Sequence, residues 1–333
     1  MLVCIGAVFL TVVVGGITRL TESGLSITEW RPVSGVLPPM NDAEWQQALE
    51  MFQQIPQALT THAGITMSEF KFIYWWEWFH RIVARGVGLV FAVPFLWFWA
   101  KGMLTRRLWW RLAWLPFLTL GQGFLGWYMV QSGLAERTEV SAVRLAMHLS
   151  LALAILAVAL WTYEDLRERP AEQAPSKGWR QLSVWSAALV MTTIVAGAFV
   201  AGLRAGKSYN TFPLMAGELF PTGYGSIAGF LANATQNPIA AQFHHRWLGV
   251  GVALFILAVA FRGAKVLAGE SLAMLKTLRN GVLVQTALGV ATLLLAVPVW
   301  LGALHQLVGV LVLSAAIRWM HRLRHPGAGP SVA

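Results

Sequence analysis

Two short stretches pair histidine with arginine at the head of a long apolar run: Glu77-Trp78-Phe79-His80-Arg81 and Gln242-Phe243-His244-His245-Arg246. His148 and His305 open two further apolar runs. Ionisable side chains at membrane depth are costly and tend to be paired or functional. Such histidines could hydrogen-bond within a helix bundle, gather one metal ion, or grip haem iron from both sides, imidazole being a common axial ligand. Matched depth in matched repeats favours two haem sites, His80 with His148 and His245 with His305. A single four-histidine centre is disfavoured because the pairs fall in different halves of the chain. Haem suits an apolar bundle whose edge is basic, and Arg81, Arg85 and Arg246 are the candidate propionate contacts. His244 points about 100° away from its neighbour His245. His62 lies in a loop, and His321 and His325 in a basic tail; these four receive no ligand role.

Glu77 breaks the symmetry, since its counterpart is Gln242. It lies three residues before His80, on the same helix face. A structural ion pair with Arg81, four residues on, would account for it. A carboxylate present in only one half, while both halves have the arginine, favours a functional role and two haem sites with different tasks.

The elements that carry these residues are membrane spans. The 333-residue chain is 56% hydrophobic and 12% charged, and its mean hydropathy is +0.58. Soluble domains carry about 25% charged residues, so much of this surface must face lipid. The net charge of +10 reads as loop charge that sets membrane orientation, not as a nucleic-acid footprint. One cysteine, Cys4, excludes an intramolecular disulfide, a covalently attached haem and a cysteine-ligated cluster within the chain. Apolar runs place spans at about 1–18, 72–100, 112–130, 145–163, 182–203 and 241–261. The first reads as a retained span rather than a signal peptide; being slightly short, it suits a natural chain that begins earlier. Residues 280–317 lack acidic and basic side chains other than histidine. As one helix they would be about 57 Å long, so they are expected to fold back near Pro298–Gly302 and give spans seven and eight. Asn41 is expected to cap a short loop helix that ends near Ile55.

The predicted fold is therefore all-α and polytopic: eight transmembrane helices forming two parallel-repeat four-helix bundles. Gly16-Ile17-Thr18-Arg19 matches Ala201-Gly202-Leu203-Arg204, and Gln122-Gly123-Phe124-Leu125-Gly126 matches Gln285-Thr286-Ala287-Leu288-Gly289. Four spans per repeat give both halves one orientation. The expected domains are an N-terminal bundle over 1–165, a cytoplasmic linker over 166–180, a C-terminal bundle over 181–325 and a tail over 326–333. Arginine-rich connections put both termini in the cytoplasm and the two long proline-containing loops outside.

The stretch Gly15-Gly16-Ile17-Thr18-Arg19-Leu20-Thr21-Glu22-Ser23-Gly24-Leu25-Ser26, with Glu29-Trp30, Pro32 and Gly35, resembles the first-loop signature of the haem A synthase family. Glu77-x-x-His80-Arg81, Gln122-Gly123-x-x-Gly126, Phe243-His244-His245-Arg246, His148 and His305 fit the same family, and the likeness covers nearly the whole chain. It implies an oxidoreductase that converts the C8 methyl of haem O, its substrate, to the formyl group of haem A for terminal oxidases, through hydroxylated intermediates. It implies that His80 and His148 frame the substrate, with Glu77 essential there, and that His245 and His305 hold a haem b cofactor. A plausible task for Glu77 is to accept a proton or stabilise a cation as the methyl carbon is oxidised. Some members carry a cysteine pair in the first outer loop; its lack places this chain with the proteobacterial and mitochondrial branch. A bacterial inner membrane, a haem O synthase and an electron-transfer partner are expected from the same resemblance, with the oligomeric state left open.

Two other functions fit the histidines. A dihaem b-type electron carrier explains them equally well, but not Glu77 opposite Gln242 or the long patterned loops. Such carriers stack haems across the bilayer, whereas these four ligands share one side. A haem-handling protein predicts exchangeable haem at both sites and no new product.

Overall fold

The computed structural model describes residues 1–31, 34–135 and 137–327. Pro32 of the loop signature, Glu136 of the turn after the third run and the tail beyond 327 lie outside these. Every regular element among the described residues is helical: α1 (Leu2–Leu20), α2 (Asp42–Gln53), α3 (Pro56–Thr60), α4 (Met67–Ala100), α5 (Arg106–Leu134), α6 (Ala142–Asp165), α7 (Lys177–Gly202), α8 (Phe230–Gln236), α9 (Pro238–Gly263), α10 (Gly269–Leu294) and α11 (Val299–Arg324), with two single 3₁₀ turns. Six of these (α1, α4, α6, α7, α9 and α11) are long and apolar enough to cross a membrane, and the chain is a multi-pass membrane protein. α5 and α10 are as long, at 29 and 26 residues, but less apolar.

Helix starts follow local chemistry. The Asn41 side chain accepts the Glu44 amide at the head of α2, as its sequence predicts. Thr66 and Glu69 form a capping box that starts α4. Asn237 caps α9, and Pro238 takes the first helical position, where a missing N–H costs nothing. The fold-back expected at Pro298–Gly302 lies earlier, at Leu295–Pro298. Ala296 and Val297 both adopt positive φ there (56° and 61°), and α11 has begun by Val299. Left-handed geometry at two residues with β-carbons costs about 1–3 kcal/mol each, and no glycine marks the turn. α10 also begins eleven residues before the uncharged run at 280, and carries Glu270, Lys276 and Arg279.

In the first half, α1 and α5 each pack against both α4 and α6; in the second, α7 and α10 each pack against both α9 and α11. The halves meet where α6 touches α7 and α11, and α1 touches α11. One apolar core runs through both halves, with Leu153, Leu156, Ile256, Leu278, Leu313 and Trp319 at its centre. A second core sits at the end carrying the long connections (the loop end), where Leu25, Trp45, Phe52, Phe70 and Tyr74 close a cap. Trp97, Trp99, Trp110, Trp114 and Phe117 on α4 and α5 are exposed, as side chains facing lipid and its interface are.

The opposite, arginine-rich end is tied by buried ion pairs. Glu164 meets Arg169 and Arg318, and Asp165 meets Arg111 and His321. Arg322, fully buried, donates to the Pro170 carbonyl (2.7 Å) and faces Glu172 (3.3 Å) and Glu270 (3.2 Å). Glu172 also accepts the first amides of α10. His321 and Arg322 thus belong to α11 and its core, not to a solvated tail. The connection expected as a polar linker over 166–180 is strapped to both halves, and its last four residues are the first turn of α7. Arg322→Ala would leave Glu172 and Glu270 without their buried cation, a change that costs about 3–5 kcal/mol. A fall in melting temperature on the order of 5–10 °C is expected for the purified protein in detergent; an unchanged melt would mean that the lock contributes nothing.

Candidate haem-binding site

Each of the four histidines leans on a glycine of a neighbouring helix. A β-carbon at Gly15 (α1) would lie 2.9 Å from His80 Nε2, and one at Gly126 (α5) 3.1 Å from His148 Cε1. In the second half, one at Gly197 (α7) would lie 3.0 Å from His245 Cε1, and one at Gly289 (α10) 2.9 Å from His305 Cε1. At Gly15 and Gly289 this is closer than real β-carbons approach, and at Gly126 and Gly197 the ring would have to give by a few tenths of an ångström, so each ring sits where a side chain on the neighbouring helix would crowd it. Gly126 and Gly289 are equivalent in the repeat. Gly15 and Gly197 are not in register, which is why the pattern escapes a motif comparison.

The rings form two pairs. His245 and His305 face each other with centroids 6.3 Å apart and planes at 88°. That gap admits one metal atom with a metal–nitrogen bond of about 2 Å on each side. His80 and His148 are near enough to interact electrostatically. Among the described residues the four do not converge on one centre: the group of three or more metal-capable side chains within ligand distance is Asp165, His321 and His325, at the far end.

Hydrogen bonds orient the imidazoles. His245 Nδ1 lies 3.0 Å from the Thr193 carbonyl. A carbonyl only accepts, so Nδ1 carries the proton and Nε2 keeps its lone pair, the second-shell arrangement of a metal-binding histidine. Gln122 Nε2 donates to the His148 carbonyl at 3.0 Å and lies 3.3 Å from His148 Nε2. Its repeat partner Gln285 lies 3.5 Å from His305 Nε2. Nδ1 of His148 and of His305 is buried without a hydrogen-bond partner. A buried ring nitrogen without a protein partner leaves a position an outside ligand can fill, a state that His62 Nε2 and His321 Nδ1 share. The glutamines stood out in the sequence only as repeat markers.

The second pair opens onto a cavity of about 390 Å³ lined by Thr193, Gly197, His245, Gln285, Gly289 and His305. Its mouth at the loop end is basic. Arg19, Arg204 and Lys207 line it, and Glu139 bridges the two arginines. The sequence comparison matched Arg19 with Arg204 but gave them no role. Arg246 also lines the cavity; its terminal nitrogens donate to the Tyr209, Pro213 and Leu214 carbonyls, while Nε is buried and unpartnered.

Glu77 is 2% exposed and three donors occupy its carboxylate: Arg81 (2.6 Å), the Ser26 hydroxyl (2.8 Å) and the Ile27 amide (2.7 Å). Arg81 also donates to the Ile27 and Glu29 carbonyls, and Arg85 to that of Arg31. The ion pair with Arg81, the structural alternative to a functional role, is present, and it is embedded in contacts with the loop more than forty residues away in sequence. His244 turns away from His245 to meet the Tyr224 hydroxyl at 2.9 Å.

The family described as cytochrome oxidase assembly protein matches residues 1–317. The chain is 45% identical over 329 residues to "Heme A synthase" of Rhodospirillum centenum, covering 98% of this chain and 88% of that protein. It is 46% identical over 316 residues to the protein of the same name from Rhizobium meliloti (93% and 85% covered). That of Rhizorhabdus wittichii is 44% identical over 321 residues (96% and 91%).

Proposed function

The chain belongs to the cytochrome oxidase assembly protein family, whose similar relatives are haem A synthases, and from that premise we propose that it oxidises the C8 methyl of haem O to the formyl group of haem A. It is then an oxidoreductase acting on a C–H bond. The single observation that carries the reading is the pair of glycine-cradled histidine couples, one in each half of the chain; the assignment of haem O to the first follows the family resemblance.

The C-terminal couple, His245 and His305, would hold haem b, with Thr193 orienting the first ring and Lys207 and Arg246 Nε available to its propionates at the cavity edge, while Arg19 and Arg204 are paired with Glu139 and Glu22. Bound there, haem b supplies one-electron redox chemistry. The N-terminal couple, His80 and His148, frames haem O. Gly15 and Gly126 let the two rings stand close to the helix backbones, and Gln122 steadies His148. Arg81 and Arg85 flank this site from α4, their donors engaged by the loop. Taking a methyl carbon to the formyl level is a four-electron oxidation, so an electron-accepting partner is required. A haem O synthase is the expected supplier.

In this reading α5 and α10 also cross the bilayer, giving eight spans in two parallel four-helix halves, 1–165 and 181–325, joined by the 166–180 connection. Their lengths of 29 and 26 residues, and their matched positions between the flanking spans, support it. The arginine-rich end and both termini are cytoplasmic, the loop end faces outward, and the membrane is a bacterial inner membrane. The test is expression with a supply of haem O, followed by extraction of the pigments. Haem A is expected in membranes holding this chain and not in those holding its His80→Ala variant; haem O left unconverted by the unaltered chain would favour an electron carrier or haem handler.

A further inference from the structure

We infer that Glu77 and Arg81 are positioning residues that clamp the loop segment 26–31 along α4 beside His80, and that the hydrogen-bond polarity of this segment is what requires a carboxylate at 77. The inference rests on the reading of His80 as part of the substrate site.

Ile73, Glu77, Arg81 and Arg85 are four residues apart and form one stripe along α4. The loop meets that stripe in order. Ser26 donates to the Ile73 carbonyl (3.3 Å) and to Glu77; the Ile27 amide donates to Glu77; Arg81 donates to the Ile27 and Glu29 carbonyls; Arg85 donates to the Arg31 carbonyl (3.1 Å). Ile27 is thus gripped at both its N–H and its C=O by a pair of side chains that also bind each other. Ser26 and Leu25 are each 2% exposed, and Leu25 packs into the loop-end core. His80 lies between the two clamping residues in sequence, so the turn of α4 that carries it is the turn the clamp holds.

The second half has the same clamp with opposite polarity. Gln242 donates to the Tyr209 carbonyl (3.1 Å), and Arg246 to the carbonyls of Tyr209, Pro213 and Leu214. That loop presents only carbonyls, which an amide N–H and a guanidinium satisfy. The first loop presents an O–H and an N–H, which need an acceptor, and a carboxylate has nothing but acceptors. The Glu77/Gln242 difference follows from what each loop offers, without proton transfer to the substrate. With three donors engaged at 2.6–2.8 Å, the Glu77 carboxylate is held by the clamp.

The test compares Glu77→Gln, Arg81→Gln, the double variant and Ser26→Ala, in the purified full chain titrated with haem O. The readouts are affinity, the absorption spectrum of bis-histidine ligation, and KM against kcat. A clamp predicts that Glu77→Gln and Arg81→Gln each weaken haem O binding about tenfold, with a matching rise in KM, an altered ligation spectrum and kcat kept within about threefold. The double variant should be no worse than either single, because one device has been broken twice. Ser26→Ala removes one hydroxyl without a buried charge; a loss of about threefold in the same direction is expected, which keeps the idea testable if the charged variants fail to fold. Glu77→Gln with normal affinity and spectrum but collapsed kcat, beside an unaffected Arg81→Gln or Ser26→Ala, would overturn the clamp in favour of acid–base chemistry. If the unaltered chain does not bind haem O, the substrate-site reading itself has failed, a separate outcome.

Discussion

His305→Ala is expected to yield a folded protein that retains about a tenth or less of the haem b bound by the unaltered chain. The ring is one of two imidazoles facing across the 390 Å³ cavity, 6.3 Å from its partner, and its Nδ1 has no other partner to serve. Loss of a group that merely orients a metal ligand already costs about 10–100-fold in affinity, and here the ligand itself is removed. The stability cost should be small by comparison, because the hydrogen-bond contact described for the His305 ring is a long 3.5 Å approach to Gln285. Pyridine haemochrome analysis of purified protein, beside a circular dichroism spectrum, reads both quantities. Normal haem b content with a normal low-spin spectrum would remove His305 from the site.

Gly126→Val should abolish conversion of haem O, while Gly123→Val, three residues earlier on α5, should leave it within about twofold of normal. Both changes put the same side chain into the same helix, so propensity and backbone entropy shift alike. They differ in what the new atoms meet: the first β-carbon of Gly126→Val arrives 3.1 Å from His148 Cε1, and that of Gly123→Val finds nothing within 4 Å. Branched methyls at 126 must push the ring off its axis. Equal activity of the two variants would show that the cradle has no role in holding His148.

Much of this arrangement was legible in the chain itself. The four candidate histidines could be picked out because an imidazole in an apolar run stands out, and the expected neighbours His245 and His305 lie 6.3 Å apart. The Asn41 cap was readable because its chemistry is local. What stayed hidden depends on distance or on small residues. Gly15, Gly126 and Gly289 stood in motifs and Gly197 in none, but nothing in a span shows which of the 31 glycines faces a ring. Glu77 was read as an ion pair or a catalytic group, whereas two of its three donors lie some fifty residues away at Ser26 and Ile27. Arg318 and Arg322 looked like orientation signals; their acidic partners in the 164–172 stretch sit more than 145 residues away. The turn at Ala296 and Val297 carries no glycine or asparagine to mark its left-handed geometry.

The division into a substrate half and a resident-haem half meets its most direct test in haem typing. Membranes containing the unaltered chain, His80→Ala or His245→Ala, each supplied with haem O, would be extracted and the haems separated by chromatography. The predicted result is haem A with haem b for the unaltered chain, haem b without haem A for His80→Ala, and loss of haem b for His245→Ala. Haem A persisting in His80→Ala, or haem b lost from His80→Ala and kept in His245→Ala, would contradict the assignment.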